Sequence, residues 1–134
     1  MSALTADRNT HSQRADVIGV PVASAKKIFA GSLVAANATG YATPGATATT
    51  LTYLGRADEN VDNTGGDDGD VLVRVRRRDA FYWDNSATDA VTQASLGKKC
   101  YIVDDHTVSS TNGSNTQSAA GVVVALDANG VWVE

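Results

Sequence analysis

The sequence predicts an all-β fold: a small β-sandwich or β-barrel with one short helix and an extended N-terminal arm. Three observations predict it. Short Val- and Ala-rich runs recur at intervals of roughly ten residues, separated by clusters of Gly, Pro, Asn and Asp. In Asp70–Arg78, DVLVRVRRR, the residues Val71, Val73 and Val75 fall on one face of an extended strand. Leu72, Arg74, Arg76 and Arg78 fall on the other, so one side is dry and the other wet or partner-facing. Only Thr88–Leu96 has helical character, too little for a parallel βα architecture.

Residues 1–16 form the arm and 17–134 a single β domain, the simplest division of 134 residues. The arm, MSALTADRNTHSQRAD, is polar and without helical or strand period. It reads either as a frayed terminus or as a segment that orders against a neighbour through Leu4, Arg8 and Arg14. Val17–Val22, VIGVPV, is a strand whose Pro21 cannot donate to a ladder, which places it at an edge. Lys26–Ala36 is apolar with Gly31 in its middle, giving two strand pieces joined by a bend or bulge. Asn37–Gly40 and Thr43–Gly45 are turns, and Leu51–Asp58 is a strand with a bulge at Gly55. Glu59–Gly69, ENVDNTGGDDG, is an acidic loop feeding the basic strand, with Asp58, Glu59, Asp62, Asp67, Asp68 and Asp70 along it.

Asp79–Ser86 holds Phe81, Tyr82 and Trp83 in succession. Neighbours in a strand point opposite ways, so at least one ring is expected on a loop or another subunit. Thr88–Leu96 is expected as a helix of under three turns, capped by Thr88 or Asp89 and ended by Gly97. Lys99–Val103 and Val108–Ser110 are strands. The chain closes with a hairpin over Ala120–Glu134 that turns at Asp127–Gly130. Ser32–Thr43 and Val122–Glu134 share one order: apolar strand, Asx-x-x-Gly turn, aromatic return strand. Plain hairpin chemistry accounts for this without descent from a repeat.

Hydrophobic residues are 43 % of the chain, but Ala and Val dominate and aromatics are 6 %, so the core is lean. Such a domain gains stability by burying surface against copies of itself or a partner. The net charge of −4 argues against a nucleic-acid partner. Cys100 is alone, which excludes an internal disulfide and a zinc cluster. No apolar run fits a secretory signal or a spanning helix, so the expected protein is soluble with no membrane partner.

Chemistry-bearing patterns are few. The acidic loop has the composition of a calcium loop but neither the ligand spacing nor the helical flanks, so it reads as a solvated hairpin loop with no metal. Arg74, Arg76, Arg77 and Arg78 suit phosphates in principle, but the loop upstream neutralises them and no nucleic-acid motif accompanies them. Pairing with carboxylates of a neighbouring chain fits Arg better. Asp67, Asp68, Arg74, Arg76, Arg78, Tyr82 and Trp83 are therefore the expected subunit-interface residues. Cys100 and His106 form no recognisable nucleophile–base pattern, and His11 lies in the arm. No nucleotide, hydrolase or metalloprotease motif is present, so no catalytic residue and no cofactor is expected.

One resemblance covers nearly the whole chain, from Leu4 to Val133. The phrases LTADRNT, AKKIFAGSLVAANATGYATPG, LGRADENVDNTGG, GDVLVRVRR, LGKKCYIVDDHTVS and AGVVVALDANGVWV resemble, in that order, head decoration (capsid cement) proteins of tailed bacteriophages. The resemblance implies a non-enzymatic virion protein, made in the host cytoplasm and placed on the outside of the expanded icosahedral head. It implies trimers at three-fold and quasi-three-fold axes that clamp the major capsid protein lattice. Under it, Leu4, Arg8 and Arg14 of the arm are expected to contact the capsid. Two alternatives stand beside it: another virion part, such as a head fibre base or tail component, and a glycan- or host-surface-binding module.

Overall fold

The alternation of the basic strand is realised in β7 (Leu72–Arg76): Val73 and Val75 are fully buried, while Leu72 and Arg74 face outward. The structure is a computed structural model and describes residues 2–134; Met1, the first residue of the expected arm, lies outside the described residues. Residues 2–14 carry no regular structure and are exposed throughout.

The two halves of the chain build two neighbouring bodies. The first half contributes β1 (Val17–Pro21), β2 (Lys27–Ile28), β3 (Leu33–Ala36), β4 (Ala42–Pro44), β5 (Thr52–Ala57), β6 (Val61–Asp62) and β7. Five of these form an antiparallel sheet in the order β1-β7-β5-β3-β4, with β1 at an edge as Pro21 requires. A parallel bridge from Val22 to Ala42, reinforced by the Ala23 amide donating to the Ala42 carbonyl (2.9 Å), ties the end of β1 to β4. The sheet thus curls toward closure. Its concave side encloses Val20, Val22, Val34, Ala57, Val73 and Val75, and the β2–β6 ribbon adds Ile28 and Val61.

The second half contributes β8 (Phe81–Asn85), β9 (Lys99–Ile102), β10 (Thr107–Ser109), β11 (Ala119–Leu126) and β12 (Val131–Val133). These close into a barrel in the order β10-β8-β12-β11-β9, with only the β10–β8 pairing parallel. Phe81, Trp83, Ile102, Val108, Val123, Val131 and Val133 fill it. Strand β3 unites the bodies. Leu33 and Ala35 join the barrel's core and Val34 the sheet's, which is why LVAA is a continuous apolar run rather than an alternating one. Trp83 Nε1 donates to the Tyr53 hydroxyl of β5 (3.1 Å), and burial pushes that hydroxyl's pKa up to about 12. Closure of one body and near-closure of the other leave few unpaired strand edges.

The expected bulge at Gly55 is present: the β3–β5 register shifts between Val34 and Ala35, with Val34 opposite Gly55 and Ala35 opposite Tyr53. The expected helix over Thr88–Leu96 is not formed. It shrinks to a 3₁₀ turn at Gln93–Ser95, although Gly97 does take a left-handed conformation after it (φ 78°). The cause is competition for the backbone. Asn85 takes both polar groups of Val91, its Oδ1 accepting from the amide (2.8 Å) and its Nδ2 donating to the carbonyl (2.9 Å). The Asp89 carbonyl accepts from the Ser110 amide (2.9 Å). A helix would need these groups for itself, and tertiary partners win over a segment too short to be helical alone.

The two Asx-x-x-Gly turns share the Asx side chain that accepts from the amide two residues on, but the turn at Asn37 closes one residue later than the turn at Asp127. Asn37 Oδ1 accepts from the Thr39 and Tyr41 amides (3.0 Å each), and Asp127 Oδ1 from the Asn129 (2.8 Å) and Gly130 (3.0 Å) amides.

Candidate functional site

The described residues enclose no pocket, so the functional candidates are surfaces. Three are distinct: the arm, the charged side of the sheet, and the outer face of the barrel.

The arm leaves the sheet where the Arg77 amide donates to the Asp16 carbonyl (2.7 Å). Beyond it, Arg8 and Arg14 are exposed and Leu4 is 73 % exposed, an apolar side chain with nothing to bury against in the isolated chain.

The acidic loop and the basic strand pair only at the start of the loop. Arg74 reaches Glu59 (Nη2 to Oε2 3.1 Å), and Arg76 and Arg56 grip Asp58 from both sides (3.1 and 3.0 Å). Their guanidinium groups hold the Asp58 carboxyl below the usual carboxylate range. Arg74 and Arg76, expected to reach carboxylates of a neighbouring chain, therefore find them on their own, because Gly55 and the following residues bring β5 and its exit alongside β7. Asp67 and Asp68 lie at the opposite end of β7. Asp68 Oδ1 accepts from the Ser24 amide (2.8 Å), and the Asp67 amide donates to Asp70 Oδ2 (2.9 Å). Arg78 sits exposed in the β7–β8 turn at φ 66°, an uncommon conformation for a residue with a Cβ. Among the described residues, no ion pair reaches Asp67, Asp68, Arg77 or Arg78.

Asn63 holds the acidic loop in shape. It is buried, and its Nδ2 donates to the carbonyls of Val22 (3.2 Å), Ala23 (3.0 Å) and Asp67 (2.9 Å). Asn63→Ala is expected to cost about 1–3 kcal/mol, because the buried Ala23 carbonyl loses its donor, whereas the Val22 and Asp67 carbonyls keep the Gly69 and Asp70 amides. Urea unfolding measures it; a loss under about 0.5 kcal/mol would contradict this role.

Among the described residues, potential metal ligands cluster at the turn after β9, where one ligand atom each of Asp104, Asp105 and His106 lies within 4.8 Å of the others. Hydrogen bonds inside the turn account for this arrangement. His106 Nδ1 lies 2.8 Å from Asp105 Oδ1, and the His106 amide donates to Asp104 Oδ1 (2.9 Å). The bond to Asp105, then the charges of Asp104, Asp105 and Asp84, raise the His106 pKa above 6.5 despite some desolvation. A raised folded-state pKa gives stability that is complete below the unfolded value and lost as pH rises through the folded one. With the imidazole 60 % exposed, the effect on stability is small. An NMR titration should place the His106 midpoint above its ordinary value, and Asp105→Asn should lower it; an unmoved midpoint would contradict the contact. Cys100 is fully buried, and burial pushes its thiol pKa up to about 12, far from a reactive thiolate.

The three successive aromatics separate as strand geometry demands. Trp83, expected with Tyr82 at a subunit interface, instead points into the barrel and is only 3 % exposed. Tyr82 points outward and packs on Trp132 of β12, ring centroids 4.9 Å apart and tilted 49°. Its hydroxyl donates to Asp127, which lowers the Asp127 pKa and raises that of Tyr82 to about 12. Val122 and Val124 of β11 extend this outer face. Sequence reasoning missed Trp132, Val122 and Val124 as surface residues. The signal was there: in VVVALDANGVWV the neighbours of buried Val123 and Val133 must face outward.

No family model, curated protein or solved structure matches the chain.

Proposed function

We propose that this chain is a non-enzymatic structural protein of a virion. More particularly, it is a head decoration protein, binding the outside of an expanded phage capsid as trimers at three-fold and quasi-three-fold axes. It stabilises the lattice of the major capsid protein there.

The observation that carries the reading is the arm. A polar segment with Leu4, Arg8 and Arg14 extends, without contacts to bury its leucine, from a body whose strand edges are largely satisfied. Such a segment orders only against something else, and a lattice of capsid subunits is a partner that rewards it many times over. The succession of phrases from Leu4 to Val133 that resembles decoration proteins supports the same reading. Within the trimer, Asp67, Asp68, Arg77 and Arg78 supply the inter-subunit polar contacts, since no ion pair among the described residues engages them.

The test is heat disruption of empty expanded shells with and without the purified protein. Shells carrying it should break at a higher temperature. Equal disruption temperatures at saturating protein would contradict the proposal.

A further inference from the structure

We infer that the face by which the protein seats on its shell partner is the outer wall of the barrel, formed by Tyr82, Trp132, Val122 and Val124. This inference rests on the decoration reading and adds to it the face of contact and the chemistry of the surface opposite. These residues lie on three consecutive barrel strands, β8, β12 and β11, with Tyr82 directly opposite Trp132. Among the described residues they are half of the large hydrophobic side chains left exposed, gathered in one place: Tyr82 39 %, Val122 37 %, Val124 40 % and Trp132 41 %.

The size of the face argues against a second copy as its sole occupant. Together these four side chains expose on the order of 300 Å². A stable stand-alone interface buries about 800 Å² on each side. The face instead has the size of an energetic centre within a larger contact, where aromatic anchors dominate. A lattice binder reaches such a contact by adding other segments, the arm among them.

The charges around the face define the partner. Asp84 is exposed two residues along β8 from Tyr82, and Asp127 receives the Tyr82 hydroxyl; both carboxylates act on Tyr82. At the far end Val122 lies between exposed Glu134 on one side and Lys99 on the other. The aromatic end is therefore rimmed by carboxylates. The complementary surface is an apolar patch on the shell subunit, bordered by Lys or Arg where it meets Tyr82 and Trp132.

The experiment is hydroxyl-radical footprinting of Trp132, free and bound to empty expanded shells, with buried Trp83 as the internal reference. The expected result is ready oxidation of Trp132 in the free protein and roughly tenfold protection on shells. In parallel, Trp132→Ser should weaken shell binding roughly tenfold, with a native circular-dichroism spectrum. If that variant does not fold, the footprint on the unaltered protein still decides. Shell binding with Trp132 still oxidised would overturn this assignment and leave the decoration reading intact. Protection in the free protein that grows with concentration would assign the face to a second copy instead. Protection by soluble glycans without shells would assign it to sugar binding. No sedimentation with shells at all would remove the decoration reading and this inference together.

Discussion

Replacing Gly55 by alanine should destabilise the fold severely. A Cβ built at this position meets the Arg76 carbonyl oxygen at 2.1 Å, with Arg76 C at 3.2 Å and the Phe81 ring at 3.4 Å. The backbone there has φ 150°, a region that residues with a Cβ rarely occupy. The obstructing atom belongs to a neighbouring strand, so relief requires moving β7 away from β5. That movement would break the junction at which Arg56 and Arg76 share Asp58 and Arg56 lies over Phe81. The expected loss exceeds about 3 kcal/mol, a large part of what a domain of this size has to spare. Gly65→Ala is the control, since its Cβ would meet nothing within 4 Å. Gly65→Ala should stay within about 1 kcal/mol of the parent. Urea unfolding of the two variants side by side checks the claim. Similar midpoints would show that the bulge does not need its glycine.

Removal of residues 2–14 should have the opposite profile: unchanged stability and lost partner binding. These residues are exposed and contribute to neither core, so the melting temperature should stay within about 2 °C of the parent. If the decoration proposal holds, affinity for shells should fall by roughly a hundredfold or more, because the arm and the Leu4 contact proposed for it are removed at every site. Calorimetry and sedimentation with empty shells measure the two quantities. A lowered melting temperature would mean that the arm belongs to the fold, and undiminished shell binding would mean that it does not contact the capsid.

Much of this fold was legible because its signals are local. The alternation in DVLVRVRRR placed Val73 and Val75 inward and Leu72 and Arg74 outward, Pro21 marked an edge, and the Gly55 bulge and both Asx turns followed from turn chemistry. What could not be read depended on contacts distant in sequence. The helix over Thr88–Leu96 lost its backbone groups to the Asn85 side chain and to Ser110. Strand β3 gave no alternation because it serves two cores at once. Among the candidate site residues, the arm and Tyr82 lie on the surface as expected. Trp83 does not, because one position of shift along a strand reverses the face, and nothing local said which of the two rings faced inward. Arg74 and Arg76 found acidic partners as their chemistry suggested, but the proximity of Asp58 and Glu59 came from the β5–β7 pairing. Alternation along VVVALDANGVWV was enough to turn Trp132 outward, but its place beside Tyr82 came only from the β8–β12 pairing.

The measurement that bears most directly on the central claim is a count of copies bound at saturation. Purified protein is mixed with empty expanded shells that lack it, the shells are sedimented, and its molar ratio to the major capsid protein is determined. The account predicts a plateau at a fixed ratio set by the three-fold and quasi-three-fold positions of the lattice. A plateau of a few copies per particle, or no co-sedimentation, would contradict it.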